Sequence, residues 1–488
     1  MNVLHISAEC YPAAKAGGLG DVAGALPKYL NKAGLNASVI IPKYQTKWIV
    51  AQSFDVVYSG SIRIHHQYYP FTIERLKSDT LGFPFFVANI PGKFDRPGIY
   101  ADSNGGNYED DVERWISFQQ AALQWAQQLE EQPDVLHCHD HHTGLVPFMV
   151  KHCYEYQGLK DTPTIFTIHN GVYHGSFSWD QMYLLPFFDI NARGLLDWGS
   201  AINPLATAIK CCWRLTTVSP SYMEELRNRS NGLEGLLRSE QAKSVGILNG
   251  IDLQVWNPAT DPYLEHQLEE DLASYKAANK AALCERFGLD PDLPLITFIG
   301  RLVGEKGADL IPDAVYQFFN YGHKAAFIIL GTGEPYLHYR FNQMREQLPS
   351  FNASLEYNEG LAHQLYAGAD FLLMPSRVEP CGLNQMYALR YGTVPIVRSV
   401  GGLIDSIVDV DQGEEGSGIR FDGFSVEEAV WALYRAVQLY GDKERFEEIQ
   451  QHILTVDFSW ERSAKTYESI YASLQRPVTT AEVEEEEQ

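Results

Sequence analysis

A glycine-rich turn near the start of the chain combines a cation with flexible backbone. It contains Lys15, Gly17, Gly18 and Asp21, and it lies between a predicted strand and a predicted helix. Glycines let backbone N–H groups approach an anion, and the helix N-terminus adds a partial positive charge. The turn therefore indicates a phosphate site, although a plain turn with a solvated lysine has the same pattern. The next strand lacks the acidic residue that a dinucleotide ribose needs, which disfavours a nicotinamide cofactor.

Four turns in the second half of the chain also follow predicted strands. The first carries Arg301 and Lys306, two cations that could neutralise a diphosphate leaving group without a metal. Another carries Glu379 and Pro380, and we predict that Pro380 begins a helix whose free N–H groups at 381–383 face an anion. Each turn alone is ordinary, but four of them favour a ligand site at the carboxyl edge of a parallel sheet. The remaining two turns are 331–335 and 401–403.

A dense run of histidines at 137–142 has the appearance of a metal site. Its alternation would place His137 and His139 on one face of a strand. No second group of metal ligands of similar density occurs in the sequence, so we predict no metal. Asp140, at the end of this strand, is a candidate hydrogen-bond acceptor for a hydroxyl group. His169 follows another strand end on the same predicted edge.

These candidate residues need a scaffold of strands with a shared carboxyl edge. Apolar runs that could be buried on both faces alternate with amphipathic segments, which predicts parallel sheets built from βαβ units. The pattern starts again near residue 294, after a polar stretch at 256–280, and so predicts two α/β domains. A final amphipathic segment at 460–474 predicts a helix before a Glu-rich end. The predicted strands are 3–8, 37–41, 135–139, 164–169, 214–218, 295–299, 326–330, 371–374 and 394–398.

Composition excludes several classes of protein. The 488 residues include 62 acidic and 38 basic side chains, a formal net charge of −24, which excludes nucleic acid or an anionic membrane as the main partner. Hydrophobic residues make up 45%, enough for a large globular core. No signal-type segment or bilayer-spanning apolar run occurs. The seven cysteines are scattered without a Cys-x-x-Cys pair, so we expect reduced thiols and a cytoplasmic protein.

In combination, these motifs resemble those of the bacterial glycogen synthases and the related starch synthases, over nearly the whole chain. Small departures occur at Ala16 and Gly20, where the family often has Thr and Ala. The resemblance implies an α/β fold of the GT-B type, with two facing Rossmann-like, doubly wound domains and a last helix that returns to the first domain. The implied segments are 1–250, 251–458, a helix at 459–476 and a disordered acidic tail at 477–488. The motifs that carry the resemblance are 15–21, 140, 169–170, 217–220, 246–252, 301–307, 376–385 and 458–461.

The resemblance also implies an activity: transfer of glucose from ADP-glucose to the non-reducing end of an α-1,4-glucan, with retention of configuration and with no metal or pyridoxal phosphate. Two enzymatic alternatives stay open, namely UDP-glucose as donor and a pyridoxal-dependent glucan phosphorylase. A third alternative is a catalytically silent glucan-binding protein, and the oligomeric state is open as well. The implied catalytic residues are Glu379, His169, Arg301, Lys306 and Asp140. The implied donor-binding residues are Lys15, Gly17, Gly18, Asp21, Asn249, Arg301, Lys306, Cys381, Gly382, Leu383, Gly401 and Gly402.

Overall fold

The computed structural model describes residues 1–96, 98–101, 106–269 and 271–474, which form two compact units. Unit 1 comprises Met1–Val218, Met223–Ile247 and the segment from Trp460 onward. Unit 2 comprises Ser219–Tyr222 and Leu248–Ser459. The first residues and the last described segment of the chain thus both belong to unit 1. The expected acidic tail at 477–488 lies outside the described residues.

Unit 1 is built on a mixed sheet. Its strands are β1 (Asn2–Ile6), β2 (Asn36–Pro42), β3 (Phe54–Ile64), β4 (Gln67–Leu76), β5 (Phe85–Asn89), β6 (Val135–His139), β7 (Thr164–Ile168), β8 (Asp197–Trp198), β9 (Ala201–Ile202), β10 (Arg214–Thr217) and β11 (Ser244–Gly246). Nine of the described strands form one sheet in the order β11-β10-β7-β6-β1-β2-β5-β4-β3, while β8 and β9 pair separately. The sheet is parallel from β11 to β5, but β4 and β3 are antiparallel. The prediction of parallel sheets is confirmed from β11 to β5 and does not extend to β3 and β4, because β3 is buried at only two of its eleven positions and has no run that is apolar on both faces.

Unit 2 is built on a wholly parallel sheet. Its strands are β12 (Leu295–Ile299), β13 (Ala326–Leu330), β14 (Phe351–Ser354), β15 (Phe371–Met374), β16 (Val394–Arg398) and β17 (Ile419–Phe421). They lie in the order β14-β13-β12-β15-β16-β17, which is the order of a Rossmann-type doubly wound sheet. The order reverses between β12 and β15, and open α/β sheets bind ligands beyond the strand ends at that switch point.

Helices connect most of these strands. They are α1 (Gly18–Lys32), α2 (Lys47–Ala51), α3 (Asp111–Ala126), α4 (Val146–His152), α5 (Arg193–Leu196), α6 (Pro204–Cys211), α7 (Pro220–Asn228), α8 (Glu234–Ser239), α9 (Leu272–Phe287), α10 (Ile311–Asn320), α11 (Pro335–Gln347), α12 (Glu359–Gly368), α13 (Asn384–Arg390), α14 (Gly401–Ser406), α15 (Val426–Gly441), α16 (Lys443–Ile453) and α17 (Trp460–Ala472). In the described part of the chain, none of the helices combines the length and the apolar character needed to cross a bilayer. The seven cysteines, all at described positions, are free thiols, and six of them are buried.

Helix α17 completes the core of unit 1. Its Trp460, Tyr467 and Tyr471 are at most 3% exposed and pack in one cluster with Val3 of β1 and Leu26 of α1. Burial of a large apolar side chain stabilises a fold by about 1.5–3 kcal/mol relative to exposure. Residues from the two ends of the chain therefore depend on each other for burial.

The polar stretch at 256–280 is only partly a connection between strands. Its second half enters α9, where Lys276 and Lys280 are buried. Lys276 Nζ donates to the hydroxyl of Thr393 at 2.7 Å, and Lys280 Nζ lies 2.7 Å from Asp370 Oδ2. Lys280 is therefore paired with an anion, whereas Lys276 is only hydrogen-bonded and burial lowers its pKa to about 7. The polar composition of the stretch concealed a helix that belongs to the core of unit 2.

Candidate functional site

The switch point of the unit 2 sheet holds a largely buried ion pair. Lys306 lies in the turn after β12, and its Nζ donates to both carboxylate oxygens of Glu379 at 2.8 Å. Glu379 follows β15, is 5% exposed, and also accepts a hydrogen bond from Ser376 Oγ at 2.9 Å. A lysine ammonium has three N–H donors. Among the described residues two of these donors are used, which leaves one for a further anionic group.

Arg301 lies on the same edge of the sheet but is free to move. Its side chain is 65% exposed, and its Nη2 lies 3.7 Å from Glu305 Oε1. An exposed ion pair of this length contributes little to stability. The planar guanidinium therefore keeps its forked donors available, and donors of this geometry suit phosphate oxygens. The two cations predicted in this turn thus differ: Lys306 is fixed in place and Arg301 is adaptable.

The segment after Glu379 is a loop and not the start of a helix. Helix α13 begins at Asn384, so the prediction that Pro380 begins it is wrong. Gly382 has a φ of +72°, which interrupts helical geometry, and Gln385 Nε2 donates to the Cys381 carbonyl at 3.1 Å. Ser219 Oγ donates to the Pro380 carbonyl at 2.5 Å. The loop is thus held from two sides, by Gln385 of α13 and by Ser219, which directly precedes α7.

Helix α14 packs its first residues against this loop. A Cβ on Gly402 would lie 2.1 Å from the Cys381 carbonyl oxygen, and one on Gly401 would lie 2.1 Å from the Glu379 carbonyl oxygen. Only glycine permits such an approach, so both glycines secure the backbone that carries Glu379. Burial raises the pKa of the Cys381 thiol to about 12, although a hydrogen bond from the Asn249 N–H opposes this shift. Cys381 is therefore a neutral thiol in the loop.

Asp140 lies at the switch point of the unit 1 sheet, directly after β6. Its φ of 55° and ψ of 174° belong to a region that is costly for residues other than glycine, by about 1–3 kcal/mol. Its Oδ1 accepts hydrogen bonds from the N–H groups of His169, at 2.7 Å, and Asn170, at 3.3 Å. Burial raises the pKa of Asp140 to about 7, these two bonds oppose the rise, and nearby Glu9 adds to it. A strained carboxyl that titrates near neutrality is typical of a functional site.

His169 stands next to Asp140 as a neutral imidazole. It is 7% exposed, and burial lowers its pKa to about 3. Its Nε2 lies 3.0 Å from Nδ1 of His139, and Nε2 of His139 lies 3.1 Å from Nδ1 of His5. His137 and His139 share one face of β6, as predicted, with their rings stacked 4.4 Å apart. His5, His137 and His139 each have one ring nitrogen within 4.8 Å of a ring nitrogen of the other two. A metal ion could also bind to nitrogens at this spacing.

Glu9 is a site residue that the sequence analysis missed. It follows β1, and its Oε2 accepts hydrogen bonds from the N–H groups of Ala16, at 2.6 Å, and Gly17, at 3.0 Å. Its Oε1 accepts a hydrogen bond from the Tyr100 hydroxyl at 2.5 Å. The glycine turn thus does bind an anion, and that anion is an internal carboxylate. The available signal was an acidic residue just past a strand at the carboxyl edge of the sheet.

The cation of the same turn is also paired. Lys15 Nζ lies 2.6 Å from Asp21 Oδ1, with side-chain exposures of 43% and 28%. Burial raises the pKa of Asp21, and the Lys15 ammonium opposes this. A partly exposed pair of this type is weak, so Lys15 can exchange Asp21 for another anion. A Cβ on Gly17 or Gly18 would meet no atom within 4 Å, which leaves open space beside the turn.

A cavity of about 480 Å³ lies in unit 1 beside the residues that follow β6 and β7. His141, Tyr173 and His174 line it, together with Trp115 of α3. Tyr173 is 60% exposed, whereas Trp115 is 6% exposed. A concave site with aromatic faces and a few polar groups suits a ligand that has both apolar faces and hydroxyl groups.

The candidate residues fall into two groups, one at the switch point of each sheet. The unit 1 group is Lys15, Gly17, Gly18, Asp21, Asp140 and His169, to which the structure adds Glu9 and Tyr100. The unit 2 group is Asn249, Arg301, Lys306, Glu379, Cys381, Gly382, Leu383, Gly401 and Gly402. Each group contains buried carboxyl groups, Glu9 and Asp140 in unit 1 and Glu379 in unit 2.

Two family models match the chain, one in each half. Residues 2–239 match the model described as the starch synthase catalytic domain. Residues 280–452 match the model described as glycosyl transferases group 1. Together the two matches account for most of the chain.

Known proteins resemble the chain over almost its full length. It is 46% identical to the glycogen synthase of Flavobacterium johnsoniae over 474 residues, which cover 96% of this chain and 98% of that protein. It is 38% identical to the glycogen synthase of Streptococcus gordonii, covering 97% and 100% of the two chains. The solved catalytic domain of starch synthase IV from Arabidopsis thaliana, bound to ADP and acarbose, has a TM-score of 0.85 at 33% identity, covering 97% and 99%. Sucrose-phosphate synthase from Thermosynechococcus elongatus, at 16% identity and a TM-score of 0.59, shares the fold alone.

Proposed function

The chain belongs to the family of the glycogen synthases and starch synthases, and on that premise we propose that it lengthens an α-1,4-glucan with glucose from ADP-glucose. It is a glycosyltransferase with the two α/β units of the GT-B fold. The observation that carries the proposal is the Lys306–Glu379 pair at the switch point of the unit 2 sheet. A cation and a carboxylate fixed side by side suit a substrate that joins a diphosphate to a sugar. We also propose a cytoplasmic location, because the seven cysteines are free thiols, as in proteins of a reducing compartment.

We assign Arg301 and Lys306 to the diphosphate of the donor. Cleavage of the bond between the anomeric carbon and the phosphate oxygen leaves negative charge on ADP and positive charge on the sugar ring. Cationic groups that are already in place stabilise the leaving group without reorganisation at the moment of reaction. Since Lys306, which is fixed, and Arg301, which is exposed and adaptable, supply this charge, the scheme needs no metal ion and no pyridoxal phosphate. Lys15, Gly17, Gly18 and Asp21 are further proposed donor contacts.

We assign Glu379 and its loop to the glucosyl group. The Glu379 carboxylate can accept hydrogen bonds from sugar hydroxyls, and its negative charge favours the positive charge that develops on the ring. Cys381, Gly382 and Leu383 follow it in the loop. Asn249, Gly401 and Gly402 are the proposed contacts that surround this loop. The acceptor hydroxyl forms its bond to the anomeric carbon on the face that the phosphate leaves, and its proton passes to the departing phosphate oxygen. Configuration is thereby retained.

We assign the acceptor glucan to unit 1. The cavity beside the strand ends offers Trp115 and Tyr173 as ring faces, which can pack against the apolar face of a sugar. Asp140, with a pKa of about 7, can accept or donate a hydrogen bond to a hydroxyl group near neutral pH. His169 lies beside it as a neutral imidazole. These groups are the proposed contacts of the reacting sugars.

Incorporation of labelled glucose into glycogen tests the proposal directly. We expect transfer from ADP-glucose in the presence of EDTA, and a lower initial rate from UDP-glucose at equal concentration. The Glu379→Gln variant is the matched control because it changes one buried carboxylate to an amide of the same shape. A higher rate with UDP-glucose would show that UDP-glucose, and not ADP-glucose, is the donor. Loss of transfer in EDTA would contradict the metal-free scheme. An absorbing pyridoxal group in the purified protein would indicate a phosphorylase.

A further inference from the structure

Three imidazoles form a hydrogen-bonded row that leads from the core of unit 1 to its carboxyl edge. The row is His5, His139 and His169, with successive nitrogen-to-nitrogen distances of 3.1 and 3.0 Å. The first two rings are fully buried and His169 is 7% exposed. His169 is thus the member of the row that stands at the edge where Asp140 lies. Neither His5 nor His139 can touch a ligand at that edge except through His169.

Each ring in the row carries a single N–H. Burial lowers the pKa of His5 and His169 to about 3, and it holds the pKa of His139 well below its usual value. All three are therefore neutral near pH 7, and a neutral imidazole has one donor nitrogen and one acceptor nitrogen. A row of such rings has only two arrangements, because the choice made at one ring fixes the choice at the next.

The inner end of the row decides between the two arrangements. If the protons point inward, Nε2 of His5 carries a hydrogen. That nitrogen is buried and has no hydrogen-bond partner in the part of the chain that the structure describes. Orphaned buried N–H groups are rarer than orphaned acceptors. The outward arrangement avoids one: Nδ1 of His5 donates to Nε2 of His139, and Nδ1 of His139 donates to Nε2 of His169.

We propose that His5 and His139 are positioning residues that hold His169 as the tautomer protonated at Nδ1. The lone pair of His169 Nε2 is then occupied, and the Nδ1–H is a donor at the edge of the sheet. The backbone N–H of His169 is fixed separately by Asp140 Oδ1 at 2.7 Å. The ring is therefore ready to donate to an oxygen atom and unsuited to accept a proton from one. The identification of the ligand oxygen as a sugar hydroxyl rests on the proposed function, whereas the inference about the tautomer does not.

His137 supplies a matched control within the same core. It lies two residues before His139 on β6, is fully buried, and stacks against the His139 ring. Its two nitrogens bond to the hydroxyls of Tyr471, at 2.7 Å, and Thr167, at 2.6 Å, so it stands outside the row. A change at His137 disturbs the packing around His139 without altering the tautomer of His169.

Nitrogen NMR of the full-length protein with ¹⁵N-labelled histidine tests the tautomer without reference to activity. The signals that disappear in His169→Ala identify the ring. We expect a protonated Nδ1 and an unprotonated Nε2 for His169 in the parent and in His137→Gln, and a mixture of tautomers in His139→Leu. A protonated Nε2 in the parent would overturn the proposal. So would one equivalent of zinc in the purified protein, because a metal bound by His5, His137 and His139 would take the lone pairs that the row requires.

Kinetics separate a positioning role from a structural one. We expect His139→Leu to lower kcat about 10- to 100-fold, the cost known for losing the hydrogen-bond partner of a metal-ligating histidine, with little change in KM for ADP-glucose. His139→Asn, which keeps a side-chain N–H near the place of Nδ1, should recover part of the loss. In a His169→Ala background His139→Leu should cost nothing more, because the two residues act as one unit. An equal loss in both backgrounds, or an equal loss in His137→Gln, would mark a structural role and overturn the proposal. Absence of any glucosyl transfer would overturn the proposed function and leave the NMR result to decide the tautomer.

Discussion

Lys306 Nζ lies 2.8 Å from each carboxylate oxygen of Glu379, across 73 positions of sequence. The pair joins the turn after β12 to the turn after β15, the two turns that border the switch point of the unit 2 sheet. Its members are not equivalent. The Glu379 side chain is 7% exposed and that of Lys306 is 25% exposed, so removal of the lysine leaves a buried anion, while removal of the carboxylate leaves a cation in contact with solvent.

Replacement of Lys306 by alanine should lower kcat by at least about 100-fold, a loss of about 2.7 kcal/mol of transition-state stabilisation. The reason is the loss of a fixed cation beside the leaving diphosphate. Initial rates with ADP-glucose and glycogen measure the effect, and a thermal unfolding curve checks that the variant is folded. Lys324→Ala, at an exposed lysine of the same unit, should keep the parental rate. Equal turnover in Lys306→Ala and Lys324→Ala would show that Lys306 takes no part in the reaction.

Replacement of Glu379 by glutamine should separate transfer from nucleotide binding. We expect kcat to fall about 100-fold or more, because the carboxylate that faces developing positive charge becomes neutral. The affinity for ADP should hold or increase, since Lys306 loses the anion that occupies two of its donors. Titration calorimetry with ADP gives the Kd and steady-state rates give kcat. A parallel loss of kcat and of ADP affinity would show that Glu379 contacts the nucleotide instead of the sugar.

The raised pKa of Asp140 makes the stability of the protein depend on pH. With a folded-state pKa of about 7 against about 3.9 in the unfolded chain, the folded state binds more protons between these values, so stability falls as pH rises through that window. The full penalty is about 4 kcal/mol as an upper limit. Urea unfolding near pH 5 and pH 8 should show this fall in the parent and a smaller fall in Asp140→Asn, which cannot ionise. Equal pH dependence in the two proteins would contradict the raised pKa.

Gly402→Ala should impair activity through the backbone of the Glu379 loop. The new Cβ would lie 2.1 Å from the Cys381 carbonyl oxygen, a contact that forces the loop to move. A displacement of about 1 Å at a reacting group can cost about 100-fold in rate. Gly235→Ala in α8 is the matched control, because a Cβ there meets nothing within 4 Å and alanine stabilises a helix by up to about 1 kcal/mol. Parental kcat in Gly402→Ala would show that the loop tolerates displacement.

The sequence predicts which residues lie close together when their proximity follows from the order of the strands in a sheet. Arg301 and Glu379 follow different strands, yet both must lie at one edge, because parallel neighbours end together. The predicted strands at 295–299, 326–330, 371–374 and 394–398 agree with the structure for this reason. Buried runs of that kind have a strong apolar signature. Strand β3, which is buried at only two of its eleven positions, has none, and the edge that it forms could not be predicted.

Contacts made by side chains across turns were out of reach of the sequence. Nothing in the spacing of Glu9 and Gly17 shows that a carboxylate accepts the N–H of the glycine turn. The Lys306–Glu379 bond is a similar case. Each residue, taken by itself, suggests a contact with a substrate, and nothing in the sequence indicates that the two bind each other. Strand order brings groups to the same edge, but rotamers and local turns decide which of them bind one another.

The return of α17 to the core of unit 1 sets a condition on how the protein folds during synthesis. Val3 and Tyr471 share one apolar cluster, so the first domain to leave the ribosome lacks part of its interior until the last helix emerges. At about 5–20 residues per second, the N-terminal half must wait for tens of seconds with that surface uncovered. The nascent chain in this interval is a natural client for chaperones, and a premature stop codon late in the reading frame would destabilise the opposite end of the polypeptide.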